Sequence, residues 1–278
     1  MKYREDIRTL FVVAFAIGLH LIAWVPLGWQ SVLVFSLINF LLLVISHNQV
    51  HNGIFRRQAY NRLFELVLSV LSLGSLANMY GVHTLNHHLH ADSDEDWFSS
   101  NHVQGLTGLL AMLVFPFLAF YKTLRSRSQL FAEIRFKSIQ RRKQREGAIL
   151  FLFLLGVFIY SPQEALFAWI LPGFLAKYLL AIVNLMQHVG CLPTVPLYSS
   201  RNFLGKGLNW LLFNNGYHTA HHAKPSLHWS KLPNYHYMHL HHKLPESLIE
   251  KSLLAFVFFT YVPGKIKPLT YGATKQEK

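Results

Sequence analysis

Two apolar runs near the N-terminus constrain this chain more than any other feature. The first is Leu10–Val25 (LFVVAFAIGLHLIAWV) and the second Trp29–Ser46 (WQSVLVFSLINFLLLVIS), with only Pro26, Leu27 and Gly28 between them. A hydrocarbon core about 30 Å thick takes roughly 20 apolar residues of helix, within a range of about 17–25. The pair therefore reads as a membrane hairpin. Lys2, Arg4 and Arg8 precede it, which places the N-terminus in the cytoplasm, the turn outside and His47 back on the cytoplasmic side. A second span follows at once, and no small-residue cleavage site is evident, so the start reads as an uncleaved anchor rather than a signal peptide.

Composition supports this. Of 278 residues, 52% are hydrophobic and 14% charged, against about 25% charged in soluble domains. The single cysteine, Cys191, excludes an internal disulfide framework. Further along, Ala165–Met186 is long enough to span, with Pro172 and Lys177 inside it. The shorter run Ala148–Tyr160 precedes it across Ser161, Pro162 and Gln163. These form a second expected hairpin. Nine Lys/Arg and one acid, Glu133, lie between Lys122 and Arg145, and such a segment belongs in the cytoplasm. A span at Leu63–Tyr80 or Leu106–Tyr121 would displace that segment or separate the histidines. Both stretches are therefore expected in or near the interface, as amphipathic or re-entrant helices. The expected fold class is an all-α integral membrane protein. It has four transmembrane helices in two hairpins (about 10–25, 29–46, 148–161 and 164–186), interfacial helices and a histidine-rich cytoplasmic cap. One domain covers 1–278, ending in a polar tail over 264–278.

The chain has 17 histidines, and they cluster. His47-Asn-Gln-Val-His51 follows the second run, His83-Thr-Leu-Asn-His87-His88 follows the third, and His218-Thr-Ala-His221-His222 follows the last span. Asn184-Leu-Met-Gln-His188 closes that span. On a helix, residues three or four apart share a face. His47 with His51, His83 with His87, and His218 with His221 and His222 could thus each address one metal. Adjacent imidazoles such as His87 and His88 diverge by about 100° and could serve two metals side by side. Nine imidazoles are too many for one ion and suit two. A structural zinc site closes with four ligands, often cysteine. Soluble di-iron bundles use Glu and Glu-x-x-His, whereas these boxes hold no carboxylate. An all-nitrogen dinuclear iron centre at a lipid face suits oxygen chemistry on a greasy substrate.

These three boxes, their order and their positions after apolar runs resemble the membrane fatty acid desaturases and related hydroxylases. The resemblance covers residues from about 10 to 235. It implies that His47, His51, His83, His87, His88, His188, His218, His221 and His222 hold two iron ions, with Asn184 holding a metal-bound water. It also implies O2 as co-substrate, a lipid or acyl substrate, and electrons from an external ferredoxin- or rubredoxin-like carrier. The expected reaction is desaturation of a long-chain acyl lipid. The alternative is hydroxylation, or ketolase- or decarboxylase-type oxidation, of an acyl chain, alkane or carotenoid. The chain shows no Gly-x-Gly-x-x-Gly dinucleotide fingerprint and no nucleic-acid module. Its shortness leans toward a bacterial cytoplasmic membrane. A haem carrier would place paired histidines inside spans, and a transporter would need ligands at mid-membrane. Here His20 alone lies inside the first span.

Other residues read more plainly. His20 is expected to be structural. His236, His239, His241 and His242 form a fourth cluster that matches no box and reads as interfacial or substrate-side. His90, His102 and His228 read as structural or ligand-orienting. Of Asp92, Asp94, Glu95 and Asp96, one or two are expected to turn inward and accept N–H bonds from ligand imidazoles. The basic run reads as anionic-lipid contact ahead of donor docking, and Cys191 as a buried apolar thiol.

Overall fold

A computed structural model describes residues 1–22, 28–132 and 137–269, without the side chains of 126–132. The last residues of the first expected span, its Pro26–Leu27 break, Glu133 and Arg135, and the tail beyond 269 lie outside the described residues. The described chain is almost wholly helical. Helix α1 covers Ile7–Ile22, α2 Trp29–His51, α3 Gln58–Leu71 and α4 Leu76–His90. Helix α5 covers Gly108–Ala132, α6 Lys137–Tyr160 and α7 Pro162–His188. Short helices follow: α8 (Lys206–Leu211), α9 (His218–Ala223), α10 (Leu232–Tyr235) and α11 (Leu253–Phe256). Strands β1 (Asn202–Phe203) and β2 (Ile249–Glu250) pair in parallel, with Asn202 opposite Ile249.

Helices α2 and α7 match two expected spans and, with Gly108–Arg125 of α5, are long and apolar enough to cross a membrane. Helices α3 and α4, bent by 98° at the break between them, make a fourth candidate if taken as one broken span. In the sequence both stretches read as amphipathic or re-entrant helices in or near the interface, and the bend between α3 and α4 also suits a re-entrant pair. Helix α5 meets the length requirement because the 18 residues Gly108–Arg125 carry only two charges, Lys122 and Arg125. The described part of α1 is 16 residues long. The 148–160 run is only the apolar half of α6, whose other half carries Lys137, Arg141, Arg142, Lys143 and Arg145. Large apolar side chains stay exposed on α1 (Phe11, Phe15), α2 (Leu33, Leu37) and α6 (Phe151, Leu152, Phe158), as lipid-facing helix sides require. A further exposed apolar run, Leu254, Phe258, Phe259 and Val262, went unmarked in the sequence reading because it is only ten residues long.

The chain forms two compact units. Unit 1 comprises Met1–His83 and Ser128–Leu180, and unit 2 comprises Thr84–Arg127 and Ala181–Lys278. In unit 1, α2 buries Leu42, Leu43, Val44, Ile45 and His47. His20 stacks between Phe35 and Trp169, with ring centroids 4.5 and 3.9 Å away, a packing role as expected. In unit 2, Phe115, Ala119, Leu185, Met186, Phe203 and Phe256 form one core, and Tyr217, Ala220, Leu232 and Leu240 a second. Burying one such large side chain contributes about 1.5–3 kcal/mol. Helix α9 is thus pinned at Ala220, between its histidines.

Candidate metal centre

Unit 1 brings together His47, His51 and His83. Their ring centroids lie 5.2 Å (His47–His51), 4.3 Å (His47–His83) and 5.0 Å (His51–His83) apart. The first two stand one turn apart at the end of α2. His47 Nδ1 lies 3.3 Å from Asn48 Oδ1; an N–H donated there leaves Nε2 as the inward lone pair.

Unit 2 holds a second group. Potential ligand nitrogens of His87, His188, His218 and His222 lie within 4.8 Å of one another. His218 Nε2 is 3.0 Å from His188 Nε2 and 3.1 Å from His222 Nε2. His87, His188 and His218 are 2%, 0% and 2% exposed. His88 Nε2 meets His221 Nε2 at 2.9 Å, also within unit 2.

This distribution corrects part of the spacing argument. His83 and His87, four apart, belong to different groups. The segment Tyr80–His87 is wound as a π-helix, so the α-helical rule of i and i+4 sharing a face does not apply to it. His218 likewise sits with His222 at i+4, while His221 pairs with His88. The divergence of His87 from His88 is as expected.

The outer nitrogens show how the imidazoles are held. His87 Nδ1 donates to Asp96 Oδ2 at 2.7 Å and His188 Nδ1 to the Ser199 carbonyl at 2.8 Å. Each bond fixes a tautomer whose Nε2 lone pair faces the other imidazoles. Burial works against a charge on Asp96. His87, together with the backbone N–H groups of Phe98 and Asp92, nevertheless holds its carboxyl below the usual range. Burial pushes Asp92 up to about 7, against the pull of the Ser100 N–H and hydroxyl. Asp94 and Glu95 are exposed, so two acids of the four turn inward. Ala91 and Asp92 adopt positive φ, 35° and 67°, backbone strain of the kind held at functional sites.

Local sequence explains how α9 is aimed. A side chain at Gly216 would run into the Phe203 carbonyl. Its N–H donates to Asn209 Oδ1 at 3.0 Å, and its carbonyl accepts from Phe203 N at 2.9 Å. Thr219, between the ligand candidates, donates its N–H to Asn202 Oδ1 at 3.1 Å, and its Oγ1 lies 3.0 Å from Ser200 Oγ. Ser199, Ser200 and Asn202 sit 11 to 19 residues from their partners, a separation that leaves no periodic signal. Asn184 lies one turn before His188, and its Nδ2 donates to the Phe98 carbonyl at 3.2 Å.

A model of the fatty acid desaturase family matches residues 7–252. The chain belongs to that family. No curated protein and no solved structure matches it. Members are membrane oxidases of desaturase or hydroxylase type with di-iron sites. The residues fit such a metal. The donors are all imidazole, which suits iron among other transition ions. The outer nitrogens of His87 and His188 are bonded in the manner of metal-ligating histidines.

The remaining histidines stand apart. His236, His239, His241 and His242 join neither group; His236 Nε2 lies 3.1 Å from His241 Nδ1. His228 caps the turn Trp229–Lys231, accepting from Ser230 N. Cys191 is half-buried, and the loss of water around its thiol pushes it up to about 12, although Arg201 pulls it down. At pH 8 it should therefore react with a disulfide reagent about a thousandfold more slowly than an ordinary thiol. Full reactivity should return on denaturation; rapid labelling of the folded chain would contradict this burial.

Proposed function

We propose that this desaturase-family chain is an O2-dependent oxidase that introduces a double bond into a long-chain acyl lipid. The nine histidines of the three boxes and the Asn184–His188 element would hold two iron ions. One of them would rest on His87, His188, His218 and His222. The observation that carries this is the four-imidazole group of unit 2, in which the outer nitrogens of His87 and His188 are bonded to Asp96 and Ser199. Bound iron would supply the redox chemistry that, with O2 and electrons from a ferredoxin- or rubredoxin-like carrier, removes hydrogen from an unactivated C–H bond.

The chain's own residues have separate tasks. Asp96 keeps the Nδ1 proton of His87, and the Ser199 carbonyl keeps that of His188. Burial of His87, His188 and His218 excludes water from their side of the site. Asn184 would orient a water at the metal. We place the protein in a bacterial cytoplasmic membrane, with the site on the basic, cytoplasmic face. Lipid profiling of cells expressing the chain, set against cells expressing His221→Ala, tests the reaction. New unsaturated acyl chains in the first alone are expected. Hydroxylated products would replace desaturation with hydroxylation, and an unchanged profile would contradict acyl oxidation.

A further inference from the structure

A set of polar contacts in unit 1 lies outside the ligand groups and connects two ligand-bearing helices. Gln49 stands between His47 and His51 on α2, about 200° round the helix from each. Its Nε2 donates to Glu65 Oε1 at 3.2 Å and to Asn61 Oδ1 at 3.4 Å, and its Oε1 accepts from Ile54 N at 3.1 Å. Glu65, on α3, pairs with Arg142 on α6 at 2.8 Å. Arg142 Nε donates to Glu146 Oε1 at 2.7 Å. The other oxygen of Glu146 accepts from Ser75 Oγ at 2.6 Å and Ala77 N at 3.0 Å, at the first turn of α4.

The path thus begins at the end of α2 that carries His47 and His51. It ends on α4, six residues before His83, or about 9 Å of helical rise. Glu65 and Glu146 are 8% and 6% exposed. Two carboxylates so buried repel each other unless a cation stands between them. Arg142 does so, and its planar guanidinium can serve both at once. Arg142 belongs to the basic run that reads as lipid contact in the sequence, yet its charge is spent inward.

We propose that Arg142 is a positioning residue. By bridging Glu65 and Glu146 it sets the register of α2 against α4, and so the approach of His47, His51 and His83 to a common metal. This rests on the two-iron reading. The test is anaerobic titration of the full metal-free chain in detergent with Fe(II) against a competing chelator. The parent is expected to show two classes of bound iron. Arg142→Gln should weaken one class by about 10–100-fold, the usual effect of losing a ligand-supporting partner, and leave the other near its parent value, while the thermal midpoint falls because two buried carboxylates lose their cation. Arg142→Lys, which keeps the charge without the two-sided fork, should weaken the same class less. Adding Glu65→Gln and Glu146→Gln to Arg142→Gln removes the repulsion and should restore much of the loss. Parent-like titration of Arg142→Gln, or equal weakening of both classes, would overturn the positioning role. A single class in the parent would instead overturn the two-iron reading itself.

Discussion

His218→Ala is expected to abolish turnover and remove the iron associated with unit 2. Its Nε2 is the common neighbour of His188 and His222, at 3.0 and 3.1 Å, so no other imidazole can take its place without moving α9. The loss should exceed the roughly 100-fold upper range for removing a partner outside the ligand set. The fold should survive, because α9 is pinned through Thr219 and Ala220. Iron content and turnover of the purified variant, with circular dichroism as the fold control, check this. A variant with full iron and full turnover would remove His218 from the ligand set. His241→Ala, outside both groups, should keep both.

The second large effect is expected at Asp96. Its carboxylate accepts from His87 Nδ1, Asp92 N and Phe98 N at 0% exposure. Asp96→Ala leaves three buried donors without their acceptor, each costing about 1–3 kcal/mol. It also frees the His87 ring to rotate and exchange tautomer, so metal affinity should fall by about 10–100-fold. Acid adds a second signature. The folded pKa of Asp96 is depressed below its unfolded value of about 3.9. Its stabilisation is therefore present above that value and drains away as pH falls through the folded one. The metal-free parent should lose thermal stability in this acid range, and Asp96→Asn should lack that part of the loss. Equal acid profiles for the two would show that Asp96 does not hold His87.

The sequence disclosed the chemistry more fully than the architecture. Three boxes with metal-ligand spacing named the imidazoles, and the long apolar runs named α2 and α7. The inward turn of two of the acids after the second box was also readable. The sharing of ligands was not. The π-wound segment Tyr80–His87 separates His83 from His87, and nothing in the one-letter pattern marks where an α-helix will widen. The charge argument puts the apolar stretch of α5 at the interface, while its length and composition also suit a span. The Gln49–Glu65 and Glu65–Arg142 contacts join residues 16 and 77 positions apart on separate helices. Such pairs carry no periodicity, so Arg142 looked like one more surface charge.

The central claim is that nine histidines of this desaturase-family chain hold two iron ions. The most direct measurement is elemental analysis of the full-length protein, purified anaerobically in detergent and quantified by amino-acid analysis. The account predicts about two irons per chain, falling in His218→Ala and unchanged in His241→Ala. One iron or none in the parent after iron-replete expression, or zinc in place of iron at equal stoichiometry, would contradict it.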